Sequence, residues 1–562
     1  MKRCFATFFI LSVSASCSLK SMENVCDVSG SIFYKNLLLS YIFNSGKISG
    51  CGVEGQLPSG APPRILNAGE NRILNSGFLA GDFGTDVSEV QISLDSGPFT
   101  SAVLSGNQWK FQLPAAGVPS TIPASGVWKE WSFHTISIRS MDSSGQSSLT
   151  ATIRVQMGIN RDVNGDGYPD VLIGSQASNS VRVYFSLGKA RGISASPVSI
   201  INGGGGGFGY SVKLGDVDGD GYADGVVGDG SDNGVSVYLS LGTSGGLSTT
   251  AVTSFTAGTG GIVNVALGDT NGDGFTDLLL GACYDSGNAG GIYVYTSSGV
   301  VGQGVTYSQN IANPGGISFF GYAVALGDVN GDGKADAMIA SVGSGQNGSS
   351  YIYIAQTFGT YGGTPSQTIS GSPNWYANSI YASDINRDGL TDMIVGAYQE
   401  NGGSIYLYNS NGSSAVGAIN SPVIGLPGSA NGTAVSSGDV NGDGFFDILG
   451  GGYTYTNTNS NQGSGTSFLY GGDLFGLTPT AFNFVTAPVN EGQMGISITS
   501  ADIDGDGFSD LMIGAPSSVG GSATNAGRVY LYFSDGAGGY SSAPQTFADP
   551  DGTGGFGQSM DI

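Results

Sequence analysis

Seven segments of this 562-residue chain place side-chain oxygens at positions 1, 3, 5 and 9 of a nine-residue stretch. They read DVNGDGYPD from Asp162, DVDGDGYAD from Asp216, DTNGDGFTD from Asp269, DVNGDGKAD from Asp328, DINRDGLTD from Asp384, DVNGDGFFD from Asp439 and DIDGDGFSD from Asp502. The candidate metal ligands are Asp162, Asn164, Asp166 and Asp170; Asp216, Asp218, Asp220 and Asp224; Asp269, Asn271, Asp273 and Asp277; Asp328, Asn330, Asp332 and Asp336. The last three loops add Asp384, Asn386, Asp388 and Asp392; Asp439, Asn441, Asp443 and Asp447; Asp502, Asp504, Asp506 and Asp510. Hard oxygen donors at alternate positions of a tight turn suit Ca²⁺, which takes about six to eight oxygens. Up to seven ions are therefore expected. Glycine at position 6 supplies a turn conformation that a residue with a Cβ resists. A helical calcium hand would need a bidentate Glu at position 12, where the seven copies hold Ile173, Val227, Leu280, Ile339, Val395, Gly450 and Ile513. Position 9 must then close the shell, and position 7 is free to vary because its backbone carbonyl can serve.

The elements that must hold these loops are strands. Short apolar alternations such as SVKLG precede the loops, and runs such as VLIG, LLLGA, MIVGA and LMIGA follow them. Farther along each unit comes a second strand rich in Tyr: VRVYF from Val181, VSVYL from Val235, IYVYT from Ile292, YIYIA from Tyr351, SIYLY from Ser404, SFLYG from Ser467 and RVYLY from Arg528. The first aspartates recur every 53 to 63 residues. A period in that range with several strands per unit fits a β-propeller, whose blades must stack to bury their faces.

GFGYSVKLGDVDGDGYADGVVG from Gly207 and FFGYAVALGDVNGDGKADAMIA from Phe319 resemble FG-GAP repeats, found in the N-terminal propeller of integrin α-subunits and in many bacterial surface proteins. The resemblance covers about Gly158 to Ile562. It implies a seven-bladed propeller, Ca²⁺ in hairpin loops on one face, and a binding role. The FG dipeptide is clear at Phe208, Phe320 and Phe556; other copies have Gly261 and Ile262, Trp375 and Tyr376, Gly432, or Met494 and Gly495. Cys283 stands where the GAP motif has Pro, and only GAP at Gly514 is complete. Loop five carries Arg387 between two ligands, a cation that weakens the site.

The chain ends in GGFGQSMDI, the opening strand of a further repeat. Either this strand pairs into the first blade and latches the ring, or it begins an eighth repeat that is cut short; RVQM before Asp162 competes for the same place.

Composition points the same way. The formal charge is −24, and 23 of the 43 acidic residues lie in the seven loops. No basic footprint for nucleic acid exists. Lys2 and Arg3 precede the apolar FATFFILSV, and SAS leads to Cys17: a signal peptide over 1–16. SASC resembles a bacterial lipobox, with Ser14 where Leu is usual, so Cys17 is the lipidation candidate; ordinary cleavage nearby is the other reading. Cys26 and Cys51 are then free to pair in an exported protein. Residues 17–62 read as a polar, Gly-rich linker.

Residues 63–157 differ in texture. VSEVQISLDSGPFTSAVLSGNQWKFQLP and FHTISIRSMDSSGQSSLTATIRVQM, with Trp109 and Trp131, suggest a small β-sandwich, and the pattern resembles bacterial Ig-like domains, which act as spacers. Catalytic readings find little support. His134, the only histidine, lies in a strand of this segment, so a triad within 158–562 is excluded. The seven Glu are scattered and offer no paired carboxylates for glycoside hydrolysis. DVSGS at Asp27 matches a von Willebrand A metal motif, but fewer than forty residues separate it from the sandwich, too few for that domain.

The expected molecule is all-β: an Ig-like sandwich, then a seven-bladed FG-GAP propeller over 158–562. It would be a non-enzymatic, exported, calcium-binding surface protein that adheres to a protein or glycan ligand. Two alternatives stay open. One is a propeller scaffold for a hydrolase, as in the glycosylphosphatidylinositol phospholipase D that carries such repeats beside a separate catalytic domain. The other is a structural envelope component without a soluble ligand.

Overall fold

In the computed structural model the described residues are 62–562 apart from 69–71, 116–127, 129–131, 243–244, 262, 316, 344–346, 372–375, 401–402, 414, 418–419, 425–429, 453–465, 474–475, 478–482, 487–492, 517–526 and 553. The expectations for the signal segment, the linker, Asp27, Cys17, Cys26 and Cys51 lie outside them, as does Trp131.

From residue 171 onward the described residues build seven four-stranded antiparallel sheets. The second of these shows the plan: Phe208–Gly215, Asp224–Asp229, Gly234–Tyr238 and Thr253–Thr256 pair in sequence order. The acidic loop joins the first two strands, with Gly215 opposite Asp224 at its base. The second strand of each sheet is buried along its whole length, as in Asp277–Ala282 and Asp336–Ser341, because neighbouring sheets cover both its faces. That is why LLLGA and its equivalents are apolar without alternation. The fourth strands, such as Thr253–Thr256 and Gln367–Ser370, are wetter and alternate.

The first strands Phe208–Gly215, Val263–Gly268, Phe320–Gly327, Tyr376–Ser383, Ala434–Gly438 and Ser497–Ala501 touch one another in succession. Phe556–Asp561 touches both the last of these and Phe208–Gly215, which closes the circle. This last strand pairs with Val171–Ser175, Leu172 facing Asp561, so the first sheet takes its innermost strand from the far end of the described chain. The latch reading therefore holds. RVQM does not compete, since Ala151–Met157 belongs to another sheet.

The FG dipeptide has a mechanical role. Phe208, Phe320 and Phe556 are buried anchors, and Tyr376 and Met494 fill the same place where the motif departs. The residue after each anchor has positive φ: Gly209 86°, Gly321 88°, Ala377 62°, Gly495 93°, Gly557 83°. Where the preceding sheet's second strand has a glycine, the carbonyl presses on it; a Cβ on Gly281 would sit 2.2 Å from Gly321 O, and one on Gly514 2.0 Å from Gly557 O. Cys283 is a buried small residue whose thiol burial pushes up to about 12.

Residues 64–157 form two further sheets. One orders Arg64–Ile65, Phe78–Asp82, Gln108–Gln112 and Val103–Ser105; the other orders Arg72–Leu74, Ala151–Met157, Phe133–Asp142, Val87–Leu94 and Thr100–Ser101. Leu79, Trp109 and Phe111 from the first pack on Val90, Ile92, Ile136, Ile138 and Val155 from the second in one core. His134 is structural: its Nδ1 lies 2.7 Å from Asp95 Oδ2, and its ring stacks on Trp128 at 4.0 Å.

Candidate metal-binding loops

Each loop is folded by its own carboxylates. In loop four, Asp328 Oδ1 accepts from the amides of Gly331 and Asp332 at 2.6 and 3.1 Å, and Oδ2 from Gly333 at 2.8 Å. Asn330 Oδ1 accepts from Asp332 N at 2.8 Å, and Asp332 Oδ1 from Lys334 N at 3.0 Å. Asp336 faces both ways, Oδ2 accepting from Val329 N at 3.0 Å and Oδ1 from Ala355 N at 2.8 Å. Position 9 thus fastens the loop to the end of the third strand. The remaining loops repeat the scheme, with Asp224, Asp277, Asp392 and Asp510 accepting from Ser240, Ser297, Ser410 and Ser534.

Wrapping the amides round position 1 requires left-handed backbone at two places. Position 6 supplies one, as expected. Position 4 supplies the other, with φ from 68° to 77° at Gly165, Gly219, Gly272, Gly331, Gly442 and Gly505, and 60° at Arg387. The departure in loop five is therefore a strained residue as well as a cation, and its guanidinium lies 4.3 Å from the Phe446 ring centroid.

The carboxyls sit in a poor solvent for charge. Burial pushes Asp162, Asp277 and Asp336 up to about 7 and Asp392 up to about 8, with loop neighbours adding to the shift. Asp170, Asp216, Asp224 and Asp510 are held well above the usual carboxylate range for the same reasons. Groups so placed resist ionising near neutral pH, and a positive charge beside them favours the carboxylate.

In loops two and seven, the two with Asp at position 3, carboxylate oxygens of positions 1, 3 and 9 converge within 4.8 Å: Asp216, Asp218 and Asp224, and Asp502, Asp504 and Asp510. Asp216 Oδ1 is buried and has no hydrogen-bond partner, an acceptor free for a cation. An all-oxygen set with an orphaned acceptor fits a hard divalent ion. Position 5 is not part of either cluster. In the Asn-bearing loops the position-3 amide instead donates to position 5, as in Asn271 to Asp273 at 2.8 Å and Asn441 to Asp443 at 3.0 Å.

Three features escaped the sequence reading. Arg191, from the hairpin of the first sheet, donates to Asp504 at 2.6 Å and Asp506 at 3.0 Å in loop seven. Ser76 of the sandwich donates to Asp162 Oδ2 at 2.8 Å. Successive loops are also tied together, the position-8 amide donating to the position-1 carbonyl of the loop before: Ala223 to Asp162, Thr276 to Asp216, Ala335 to Asp269, Thr391 to Asp328 and Ser509 to Asp439. At the seam Pro169 occupies position 8 and has no N–H to give.

Closed rings of stacked four-stranded sheets with one acidic hairpin loop apiece define a β-propeller. Models of the FG-GAP-like repeat match residues 162–227, 216–280 and 384–450, and those of the FG-GAP repeat match 320–354, 431–470 and 494–532. Integrin alpha-PS3 of Drosophila melanogaster is 30% identical over 253 residues, 40% of this chain and 21% of that protein. Integrin alpha-V of Gallus gallus is 31% identical over 215 residues, 34% of this chain and 20% of that one. The chain thus spans about a fifth of the length of these relatives. The solved Dos1 propeller overlays 81% of this chain and 90% of its own at a TM-score of 0.36 and 11% identity, too slight a likeness to bear on the argument. This chain is an FG-GAP repeat protein with an integrin-α-like β-propeller.

Proposed function

We propose that this is an exported calcium-binding surface protein whose propeller binds a protein or glycan ligand, with calcium in a structural role. The observation that carries the calcium reading is the convergence of Asp216, Asp218 and Asp224 around an unpartnered buried oxygen. The similarity to integrin α-subunits supports a ligand-binding role. The N-terminal segment supports export, with Cys17 as lipid attachment point, and the Ig-like sandwich over 63–157 serves as spacer. Extracellular sites of this type bind at about 10⁻⁴ to 10⁻³ M. At ten times its dissociation constant each ion adds about 1.4 kcal/mol.

The loops fold around their own aspartates, so an ion there holds backbone rather than reacting with substrate. The only histidine is engaged by Asp95 and Trp128, which supports a non-enzymatic reading. Calorimetric titration of Ca²⁺ into chelator-stripped chain, with melts in both states, tests the metal reading. Several ions bound with a large gain in Tm is the expected result, and negligible uptake would sink it. A glycan and protein array against the calcium-loaded chain tests the ligand reading; absence of any saturable binder favours the inert envelope component.

A further inference from the structure

The seven loops are not equivalent, and loop one is set apart by its contact with the sandwich. A carboxylate offers about four lone-pair positions. In loop four, protein amides take three of those on Asp328. In loop two, Asp216 keeps Oδ1 without any partner. In loop one all four positions on Asp162 are filled: Oδ1 by the amides of Gly165 and Asp166 at 2.6 and 3.1 Å, Oδ2 by Gly167 N at 2.7 Å and by Ser76 Oγ at 2.8 Å. The fourth donor comes from the sandwich.

The sandwich also brings a cation. Lys110 Nζ lies 4.0 Å from the Phe78 ring centroid and 3.1 Å from where a Cβ on Gly165 would stand, directly over the loop. The surrounding contacts extend the same interface to loop two. Gln112 Nε2 donates to Asp220 O at 3.0 Å, Asn160 Nδ2 to Gly221 O at 2.8 Å, and the Phe78 and Tyr222 rings meet at 5.0 Å. Gly77 lies so close to Gly221 O that a Cβ there would approach to 2.2 Å.

We propose that loop one is the socket in which the sandwich docks, filled by Ser76 and Lys110 in place of the calcium ion that loop two takes. Ser76 takes the last lone-pair position on Asp162, and the Lys110 ammonium over Gly165 brings positive charge near Asp162 and Asp166. Loop two then acts as the neighbouring clamp, its Asp220 and Gly221 carbonyls presented to Gln112 and Asn160. This inference rests on the calcium reading of the other loops for its metal count, but not for the docking contact.

The test uses the full chain and Ca²⁺ alone as probe. Equilibrium dialysis should show that Asp218→Ala binds one ion fewer than wild type, that Asn164→Ala at the same position of loop one binds the same number, and that the Ser76→Ala, Lys110→Met pair binds one more. Loss of one ion in Asn164→Ala would overturn the proposal. If no variant and no wild type binds calcium, the calcium reading fails by itself. The socket is then judged by hydrogen exchange, where Ser76→Ala, Lys110→Met should speed the Gly165 and Gly167 amides at least tenfold. Unchanged exchange would overturn it. Lys110→Met keeps the apolar stem over Phe78, so the sandwich retains its packing.

Discussion

Asp561 Oδ1 accepts a hydrogen bond from Lys213 Nζ at 2.8 Å, joining the last strand of the chain to the first strand of the second sheet. Arg161 reaches the other oxygen at 3.3 Å, and the Leu214 amide donates to it at 2.9 Å. Burial alone would raise this carboxyl, yet the two cations hold it below its ordinary value. The latch is therefore electrostatic as well as hydrogen-bonded.

Replacing Asp561 by Asn should strand both cations and cost about 3 kcal/mol, the usual penalty for breaking a buried pair from one side. A lowered urea midpoint reads it. Because the folded carboxyl titrates below its unfolded value, its contribution is present above about pH 4 and fades under acid. A midpoint equal to wild type at pH 7 would show that the latch works without its charge.

Gly514→Ala should be costly out of proportion to one methyl. The new carbon would stand 2.0 Å from Gly557 O, which is backbone and cannot swing away. About 3 kcal/mol is expected, against less than about 0.5 kcal/mol for Gly204→Ala, which meets nothing within 4 Å. Equal midpoints for the two variants would contradict the close approach.

Arg387→Gly should stabilise. The residue stands at φ 60°, where its six counterparts are glycine, and left-handed backbone costs a residue with a Cβ about 1 kcal/mol. Loss of the contact with Phe446 offsets part of the gain. Thermal melts of the calcium-loaded chain decide it, and a fall in Tm would show that the ring contact outweighs the strain.

Removing the Arg191 side-chain charge should tighten calcium at loop seven. The guanidinium bridges Asp504 and Asp506 but is half exposed, so displacing it costs little. Arg191→Gln is expected to improve that site's affinity on the order of fivefold. Site-resolved titration by NMR of the Gly507 amide would reveal no change if Arg191 stands clear of the ion.

The chelated chain should lose stability as pH rises. Asp269 and Asp384 are pushed up to about 6, Asp277 and Asp336 to about 7, and Asp392 to about 8, all above the ordinary 3.8. The folded state therefore holds more protons than the unfolded one between about pH 4 and pH 8, and each such carboxyl costs up to about 1.4 kcal/mol per pH unit in its window. Calcium should cancel the loss by keeping the carboxylates ionised. Scanning calorimetry from pH 5 to pH 8 with and without chelator checks this; a chelated Tm independent of pH would refute it.

The sequence reading reached what is local and periodic. The loops, the apolar strand after each and the Tyr-rich third strand recur in register, so the sheets could be placed from spacing alone. The final strand was recognisable as an opening strand because GFGQS repeats the pattern of GFGYS, and its place in the first sheet stayed open until the pairing was seen. What it missed joins residues far apart. Ser76 and Asp162 are separated by 86 positions, and Arg191 and Asp504 by 313. Neither pair belongs to the repeat, and only closure of the ring and docking of the sandwich bring them together. The glycine at position 4 was visible but unread, because its need for positive φ shows only once the amides are seen to wrap position 1. Pro169 was likewise plain in the sequence, and its consequence needed the loop-to-loop hydrogen bonds.

The pairing of Val171–Ser175 with Phe556–Asp561 sets a constraint on biosynthesis. Until the final strand emerges from the ribosome, the first sheet has an open, apolar edge able to recruit other chains. Some 380 residues separate the two strands, so at about 5–20 residues per second the edge waits roughly 20 to 80 s. A chain cut before Phe556 should therefore aggregate more readily than the full chain.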